Sequence, residues 1–184
     1  SQTPTAGPTE PETGSVTLTG ELVVRFLDVG QGDSIFITLP DKTTILIDAS
    51  TKAQGSTVVS AIEAQNVKKI DHVIFTHPHE DHIGGGVAVL NAFDVGQVWM
   101  PRTSHTTQTY ENLLLAIQDK GLMVDEAKAG KVLIEEQNLK AWLLSPNKTY
   151  KDLNNMSAVL ALTYGDTTFL FAGDAEAEAE QAML

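Results

Sequence analysis

The chain has 184 residues, 42% hydrophobic and 20% charged, and its 12 basic against 24 acidic residues give a formal net charge of −12. This length predicts one globular domain, and the acidity disfavours broad electrostatic binding to nucleic acid or anionic lipid. The sequence contains no cysteine, which excludes disulfides, thiolate nucleophiles and cysteine-bound metal. No apolar run reaches the roughly 18 residues of a transmembrane helix, so no integral membrane segment is predicted.

The first fifteen residues, SQTPTAGPTEPETGS, are rich in Pro, Thr, Glu and Gly and show no apolar periodicity. Such a segment buries too little surface to offset its ordering entropy. We therefore predict a disordered linker over residues 1–15 and a folded domain over 16–184. The tract resembles the stalk that follows a removed signal or lipid anchor. It favours a secreted or cell-surface tethered protein, although a tag remnant explains Ser1 equally well.

The remaining sequence alternates between strand and helix patterns. Three β-rich runs at 21–27, 34–39 and 44–47 predict an antiparallel meander. They are followed by a helix at 56–66, a strand at 72–76, a helix from 84–86 onward and a strand at 97–100. After a helix at 110–120, strands are predicted at 122–124, 131–134, 139–144, 157–164 and 167–171, with a last helix from Asp174. This order predicts an α/β sandwich of two sheets with outer helices.

The helix at 110–120 has the clearest periodicity. Its apolar residues Tyr110, Leu113, Leu114 and Ile117 recur at i, i+3, i+4 and i+7, which is typical of an amphipathic helix. Thr109 is the predicted N-cap and Gly121 the predicted stop.

Metal-binding residue types cluster where the strand at 72–76 ends. The run His77-Pro78-His79-Glu80-Asp81-His82 holds three histidines and two acids in six residues. Because side chains two apart on extended backbone point the same way, His77 and His79 can face one ion. Asp81 and His82, at the start of the next helix, can face a second. Imidazole and carboxylate ligands suit zinc, manganese or iron, so the residues leave the metal open.

The pattern His77-x-His79-x-Asp81-His82 resembles the hallmark of the metallo-β-lactamase superfamily, whose fold is an αβ/βα sandwich of two mixed sheets with outer helices. Ile45-Leu46-Ile47-Asp48 and Phe171-Ala172-Gly173-Asp174 resemble two further motifs of that family, although Ala49 stands where Gly usually follows. Phe26-Leu27-Asp28-Val29-Gly30-Gln31-Gly32-Asp33-Ser34 is similar to the signature of its ComEC-like, competence-type branch. Asn154-Asn155-Met156-Ser157 and Tyr164-Gly165-Asp166 also resemble that branch.

The resemblance implies one or two divalent ions, zinc or manganese. The implied ligands are His77, His79, Asp81, His82 and Asp174, with the Asp174 carboxylate bridging two ions. Asp81 is also the candidate catalytic residue that orients the attacking water and takes its proton. Asp48 is expected to support the ligands from behind, by fixing a histidine tautomer or the metal-binding loop; alternatively, it only caps backbone amides.

Two departures from the superfamily pattern stand out. No histidine follows His105, whereas the general superfamily has one before the Gly-Asp strand; the ComEC-like branch resembles this chain in having Asn155-x-Ser157 there. The superfamily's final strand and its histidine would lie beyond Leu184. We therefore expect a domain truncated after its Gly-Asp motif, with an incomplete second half and an open or partly occupied metal site.

Six residues are candidates for contact with substrate. Arg102 and His105 lie on a loop after a strand, and the Arg102 guanidinium can pair with a phosphate oxygen; the alternative is an exposed polar loop. Gln31 and Asp33 either touch substrate or belong to a tight turn permitted by the adjacent glycines. Asn155 and Ser157 complete the set.

The resemblance implies a metal-dependent hydrolase that uses metal-activated water, most specifically a phosphodiesterase or nuclease with DNA as partner. One alternative is an esterase or phosphodiesterase acting on a small or cell-wall phosphate ester, which needs few basic residues. The other is a binding module with a decayed metal site, in which case this fragment is inactive. The sequence predicts neither the metal nor the oligomeric state.

Overall fold

A computed structural model describes residues 17–184; the predicted linker at 1–15 lies outside the described residues. The strands are β1 (Val23–Phe26), β2 (Ile35–Thr38), β3 (Thr44–Ile47), β4 (Lys69–Ile74), β5 (Asp94–Met100), β6 (Val124–Glu126), β7 (Val132–Glu136), β8 (Leu139–Ser145), β9 (Val159–Tyr164) and β10 (Thr167–Phe171). The helices are α1 (Gly55–Glu63), α2 (Glu80–Ile83), α3 (Gly86–Ala92), α4 (Gln108–Asp119) and α5 (Ala177–Met183), with 3-10 turns at Lys52–Gln54 and Asn154–Met156.

The first sheet has the order β1-β2-β3-β4-β5-β6. Its first three strands form the predicted antiparallel meander, whereas β3, β4, β5 and β6 pair in parallel. Parallel neighbours need crossover connections, and helices α1, α2, α3 and α4 supply them. The carboxyl ends of β3, β4 and β5 therefore meet at one edge, and the loops that follow these strands are brought together there.

The second sheet has the order β10-β9-β8-β7, and each of its described pairings is antiparallel. The α/β sandwich is confirmed, with one refinement: in the described residues only the first sheet is mixed. Strands β7 to β10 are consecutive and two of their connections are short hairpins, which impose antiparallel neighbours.

Alternating residues of the first sheet divide the core into two layers. Phe36, Leu46 and Val73 pack with the helices, whereas their neighbours Ile37, Ile45 and Ile74 pack against the second sheet. This is the period of two expected of strands that are buried on both faces. The helices thus cover one face of the first sheet, and the second sheet covers the other.

Two helix starts differ from the prediction. Helix α4 is capped by Thr107, whose Oγ1 accepts the Tyr110 backbone N–H at 3.4 Å, so the predicted cap Thr109 lies inside the first turn. Helix α5 begins at Ala177 instead of Asp174, because Asp174 lies in a turn closed by the hydrogen bond from the Ala175 N–H to the Ala172 carbonyl oxygen. The predicted stop at Gly121 agrees with its φ of 67°.

Among residues 17–184, no helix is both long enough and apolar enough to cross a membrane.

Candidate metal centre

The cluster of histidines and acids lies at the carboxyl edge of β3 and β4. Asp48 directly follows β3, and the segment from Thr76 to His82 follows β4. Asp174 arrives from the other sheet, three residues after β10. The Ala158 backbone N–H donates to the Thr76 carbonyl oxygen at 2.9 Å, which ties the chain before β9 to the metal-binding loop. The two sheets thus meet at the site.

His77 and His79 face each other, as their spacing predicts. The distance from His77 Nε2 to His79 Nδ1 is 3.0 Å, and the ring centroids lie 4.6 Å apart. Asp174 Oδ2 lies 3.8 Å from His77 Nε2. Two imidazole nitrogens and a carboxylate oxygen therefore point into the same small volume.

The hydrogen bonds of Thr76 fix the tautomer of His77. The Thr76 hydroxyl donates its single proton to Asp48 Oδ2 at 2.6 Å, and its oxygen lies 3.1 Å from His77 Nδ1. Because that hydroxyl has no second proton, His77 Nδ1 must be the protonated donor. The unprotonated nitrogen of a neutral His77 is then Nε2, the atom that faces His79 and Asp174.

Asp48 holds His82 in the same way. Asp48 Oδ2 lies 2.8 Å from His82 Nδ1, and its Oδ1 accepts the Thr76 backbone N–H at 2.7 Å. With Nδ1 bonded to a carboxylate, His82 presents Nε2 to the site, 3.4 Å from Asp174 Oδ1. One fully buried carboxylate thus orients two histidines, His82 directly and His77 through Thr76.

Asp81 is held by the glycine-rich loop after β1. Gln31 Nε2 donates to Asp81 Oδ2 at 3.0 Å, whereas Asp81 Oδ1 lies 3.9 Å from His82 Nε2. Gly32 has a φ of 84°, and a Cβ on it would lie 1.9 Å from the Asp81 carbonyl oxygen. Only glycine permits this approach, which explains why the loop Gly30-Gln31-Gly32 carries a glycine beside Gln31.

Asp174 is placed by its own backbone. Its N–H donates to Ser157 Oγ at 3.2 Å, and that oxygen lies 3.4 Å from His77 Nδ1. Gly173 has a φ of 53°, and its hypothetical Cβ would lie 3.0 Å from Thr76 Cβ. The Gly-Asp motif therefore packs directly on the metal-binding loop.

The surroundings shift the pKa values of the two buried histidines, His77 and His82, in opposite directions. Burial, together with the charges of His82 and His79, lowers the pKa of His77 to about 3. Burial also opposes charge on His82, but its hydrogen bond to Asp48 and the charges of Asp48 and Asp174 outweigh that effect and raise its pKa to about 9. Burial raises the pKa of Asp48, against its bonds from His82 and Thr76. The two shifts favour opposite charge states, but Asp48 accepts three hydrogen bonds, which stabilise its ionised form. We therefore assign the His82–Asp48 contact as an imidazolium–carboxylate pair in the metal-free protein.

The pKa of Asp81 lies below its usual value. Partial burial opposes this shift, and the hydrogen bond from Gln31 with the charge of His82 overcomes it. Asp81 is therefore an ionised carboxylate at neutral pH.

These donors suit a divalent metal ion. Ligand atoms of His77, His82 and Asp174 all lie within 4.8 Å of one another. Asp33, Asp48 and His82 form a second such group, but both Asp48 oxygens are already engaged by Thr76 and His82. The first group, joined by His79 and Asp81, thus offers free imidazole and carboxylate atoms of the kind that bind zinc or manganese.

The candidate substrate residues fall into three places. Gln31 contacts Asp81, and Asp33 donates its backbone N–H to the Asp81 carbonyl oxygen at 3.3 Å. His105 is half-buried, and its ring centroid lies 5.9 Å from that of His79. Arg102, on the same loop, is exposed and lines a neighbouring groove. Ser157 contacts the Asp174 backbone and lies near His77, as described above. Five of the six candidates therefore lie at the site or on a loop beside it.

Asn155, the sixth, has a structural contact. It is buried, and its Oδ1 accepts the backbone N–H groups of Glu176 and Ala179 at 3.1 and 3.2 Å. This bond caps the start of α5 and thereby positions the segment that carries Asp174. A contact of Asn155 with substrate stays a prediction.

Sequence reasoning missed Thr76, which links Asp48 to His77. Its hydroxyl carries no charge and has no spacing rule of its own, so its only signal is its place directly before the metal-binding motif. Gly32 was assigned to a turn, and its close approach to Asp81 depends on tertiary packing that local sequence does not encode.

Comparison with known proteins identifies the family. Residues 27–184 match the metallo-beta-lactamase superfamily. The chain is 29% identical over 185 aligned residues to ComE operon protein 3 of Bacillus subtilis, covering 91% of this chain and 24% of that protein. It is 26% identical over 164 residues to Recombination protein 2 of Haemophilus influenzae, covering 86% of this chain and 19% of that protein. The chain thus spans at most about a quarter of these relatives.

Solved structures agree on the fold. A Cronobacter sakazakii metallo-beta-lactamase with a HARLDQ motif superposes with a TM-score of 0.57 at 18% identity, over 81% of this chain and 58% of that one. CmlA, a diiron beta-hydroxylase from Streptomyces venezuelae, gives a TM-score of 0.53 at 19% identity, over 85% and 30% respectively. The match to the family model shows that this chain belongs to the metallo-beta-lactamase superfamily, and its similarity to the two relatives supports the ComEC-like branch.

Proposed function

We propose that this domain is a metal-dependent phosphodiesterase, with nuclease activity as its specific function. One observation carries the proposal: His77 Nε2 and His82 Nε2 face the two different oxygens of Asp174, at 3.8 and 3.4 Å. A carboxylate between two sets of imidazoles is suited to a pair of ions that clamp a phosphoryl group. The name of one relative, Recombination protein 2, supports a DNA substrate.

Each ion would have its own donors. His77 Nε2, His79 Nδ1 and Asp174 Oδ2 would hold the first; His82 Nε2, Asp81 and Asp174 Oδ1 would hold the second. A divalent ion bound there supplies a Lewis acid, which lowers the pKa of a water molecule and stabilises negative charge on the phosphoryl oxygens.

The protein's own groups do the rest of the work. Asp81 is ionised, and Gln31 holds its Oδ2 by a hydrogen bond. The other oxygen, Oδ1, faces His82 Nε2; it would approach the second ion and, with its remaining lone pair, would accept the proton of the attacking water. Asp48 and Thr76 keep both buried histidines in the tautomer that presents Nε2 to the site. His105, whose ring lies 5.9 Å from that of His79, would be close to a bound substrate.

Hydrolysis assays with added manganese or zinc test the proposal. The chain is expected to cleave a short single-stranded DNA and a small chromogenic phosphodiester, and His79→Ala is expected to abolish both activities because it removes a metal donor at the exposed side. Lys140→Gln is the matched control, since Lys140 lies in an exposed pair with Glu135 on the second sheet.

The outcomes separate the alternatives. Cleavage of the small diester alone would favour an enzyme for small or cell-wall phosphate esters. If neither substrate is cleaved although the metal binds, the domain is a binding module. Activity that survives in His79→Ala would place the reaction outside this site.

A further inference from the structure

A basic groove lies beside the candidate metal centre. It has a volume of about 380 Å³, and its walls include Arg102, Lys128 and Lys148, with Glu126 as the acidic residue among its lining residues. A second groove, at the other end of the first sheet, has a similar excess of cations, so the position of this groove beside the metal centre is what distinguishes it in a chain whose net charge is −12. The sequence pattern did not predict this concentration, because the three cations come from three separate loops.

Two chain segments run from the groove to the metal centre. Met156 lines it and directly precedes Ser157, which contacts His77. Arg102 lines it from the loop that also carries His105, whose ring stands 5.9 Å from that of His79. A chain-like substrate with its reactive group at the metal centre would therefore continue into the groove.

Both lysines are available to a ligand. Lys128 Nζ lies 2.9 Å from Glu126 Oε2, and Lys148 Nζ lies 2.9 Å from Glu178 Oε1. All four side chains are at least 41% exposed, and exposed pairs of this kind contribute little stability. A phosphate that enters the groove can thus replace the glutamates at small cost.

The groove suits a backbone, with no platform for base stacking. Its described lining contains no aromatic residue, and Tyr150, next to it, is buried with Lys148 Nζ 4.9 Å from its ring centroid. Base recognition in single strands relies on exposed aromatic faces. The groove therefore offers charge without sequence readout.

We propose that the groove lined by Arg102, Lys128 and Lys148 binds the backbone phosphates that flank the scissile phosphodiester of a single-stranded polynucleotide. The inference rests on the proposed nuclease function for the position of the scissile bond. It explains how an acidic domain engages DNA: contact is confined to a short track beside the metal centre. Neutralised phosphates release counterions, so affinity falls steeply with salt.

Binding of a fluorescein-labelled oligodeoxythymidylate, followed by anisotropy with chelator present, tests the groove without requiring catalysis. The double variant Lys128→Gln/Lys148→Gln is expected to bind about tenfold more weakly at low salt. The slope of log affinity against log salt should shrink by ~1.4, at roughly 0.7 per lost phosphate contact for single strands.

The matched control removes the same charge elsewhere. Lys42 and Lys68 line a second groove at the opposite end of the first sheet, near the start of β4. Arg25 and Lys69 also line that groove, with Asp71 as the acidic residue among its lining residues, so the control separates charge alone from charge beside the metal centre. Lys42→Gln/Lys68→Gln is expected to bind the oligonucleotide like the unmodified chain. The groove assignment is overturned if this control weakens binding as much as the groove variant does, if the groove variant binds normally, or if the unmodified chain does not bind at low salt.

Two further arms separate the sources of failure. If groove variants lose DNA binding but the metal-loaded chain cleaves no diester, the proposed enzyme fails and the groove stands. If DNA is cleaved equally well by the groove variant, the groove inference fails and the enzyme stands. Stronger displacement of the probe by poly(glycerol phosphate) than by unlabelled oligonucleotide, at equal phosphate, would overturn the choice of polynucleotide.

Discussion

Asp48 and Asp174 both lie next to His82, yet their surroundings are opposite. Asp48 is fully buried and accepts hydrogen bonds from the Thr76 N–H at 2.7 Å, the Thr76 hydroxyl at 2.6 Å and His82 Nδ1 at 2.8 Å. The Asp174 side chain is 40% exposed and approaches His82 Nε2 only to 3.4 Å, longer than an ordinary hydrogen bond. One carboxylate is satisfied by the protein, whereas the other retains its lone pairs for an ion.

The largest expected effect on stability comes from replacing the buried carboxylate, Asp48. Asp48→Ala removes the acceptor of three buried donors, and His82 loses the partner that keeps it charged. We expect the free energy of unfolding to fall by about 3–5 kcal/mol, measured by urea denaturation with chelator present.

Asp174→Ala is the matched variant on the open side. Because Asp174 makes no short side-chain hydrogen bond, we expect its metal-free stability to stay within about 0.5 kcal/mol of the original, while metal binding is lost. Equal stability losses in the two variants would contradict the division between a supporting and a metal-binding carboxylate.

The second effect concerns pH. The pKa of His82 is about 9 in the folded state against 6.5 when unperturbed, so its pairing stabilises the fold fully below pH 6.5. This contribution is lost as the pH rises through 9, and amounts to about 3 kcal/mol. Urea denaturation of the metal-free chain at several pH values measures it. Asp48→Asn should flatten the profile; an unchanged slope in that variant would contradict the pair.

A smaller effect sharpens the position of Asp81. Gln31→Ala removes the hydrogen bond to Asp81 Oδ2, and loss of a bond to a charged group predicts a fall of about tenfold in kcat/KM for the small diester. Stability should change little, since Gln31 is exposed. Gln31→Glu, which places a like charge beside Asp81, should be slower still; full activity in both variants would remove Gln31 from the site.

The smallest effect lies on the open side, where Thr107 both caps α4 and contacts His105 Nδ1 at 3.0 Å. Thr107→Ala should lower the free energy of unfolding by about 1 kcal/mol through the lost cap. Thr109→Ala, at the position that the sequence favoured, should change it by less than about 0.5 kcal/mol. Denaturation curves for the two variants decide between the caps.

The histidine motif was predictable because its ligands are local. His77, His79 and His82 lie within six consecutive residues. His77 and His79 are two apart on extended backbone and His82 lies in the first turn of α2, so the local structure alone brings the three side chains together. A supporting role for Asp48 was expected, but the sequence did not indicate which histidine it would contact. The contact of Asp48 with His82 spans 34 residues and depends on the parallel register of β3 and β4.

The supporting contacts were not predictable in the same way. The sequence around Asn155 is the same whether its side chain contacts substrate or caps α5. Only the position of α5 in the fold shows that it accepts backbone N–H groups there. Thr107 and Thr109 are equivalent as caps in sequence; the geometry of the preceding loop selects Thr107. Such choices depend on tertiary packing, which overrides local preference.

The donors on the loop after β4 and Asp174 after β10 belong to different sheets, so they come together only when the sheets are docked. An ion that binds this arrangement and not the unfolded chain stabilises it by mass action, about 2.7 kcal/mol at a hundred times its dissociation constant. The melting temperature of the domain therefore becomes a gauge of free metal in its surroundings. A chain of this kind would be longer-lived wherever its ion is plentiful, and readily degraded where the ion is scarce.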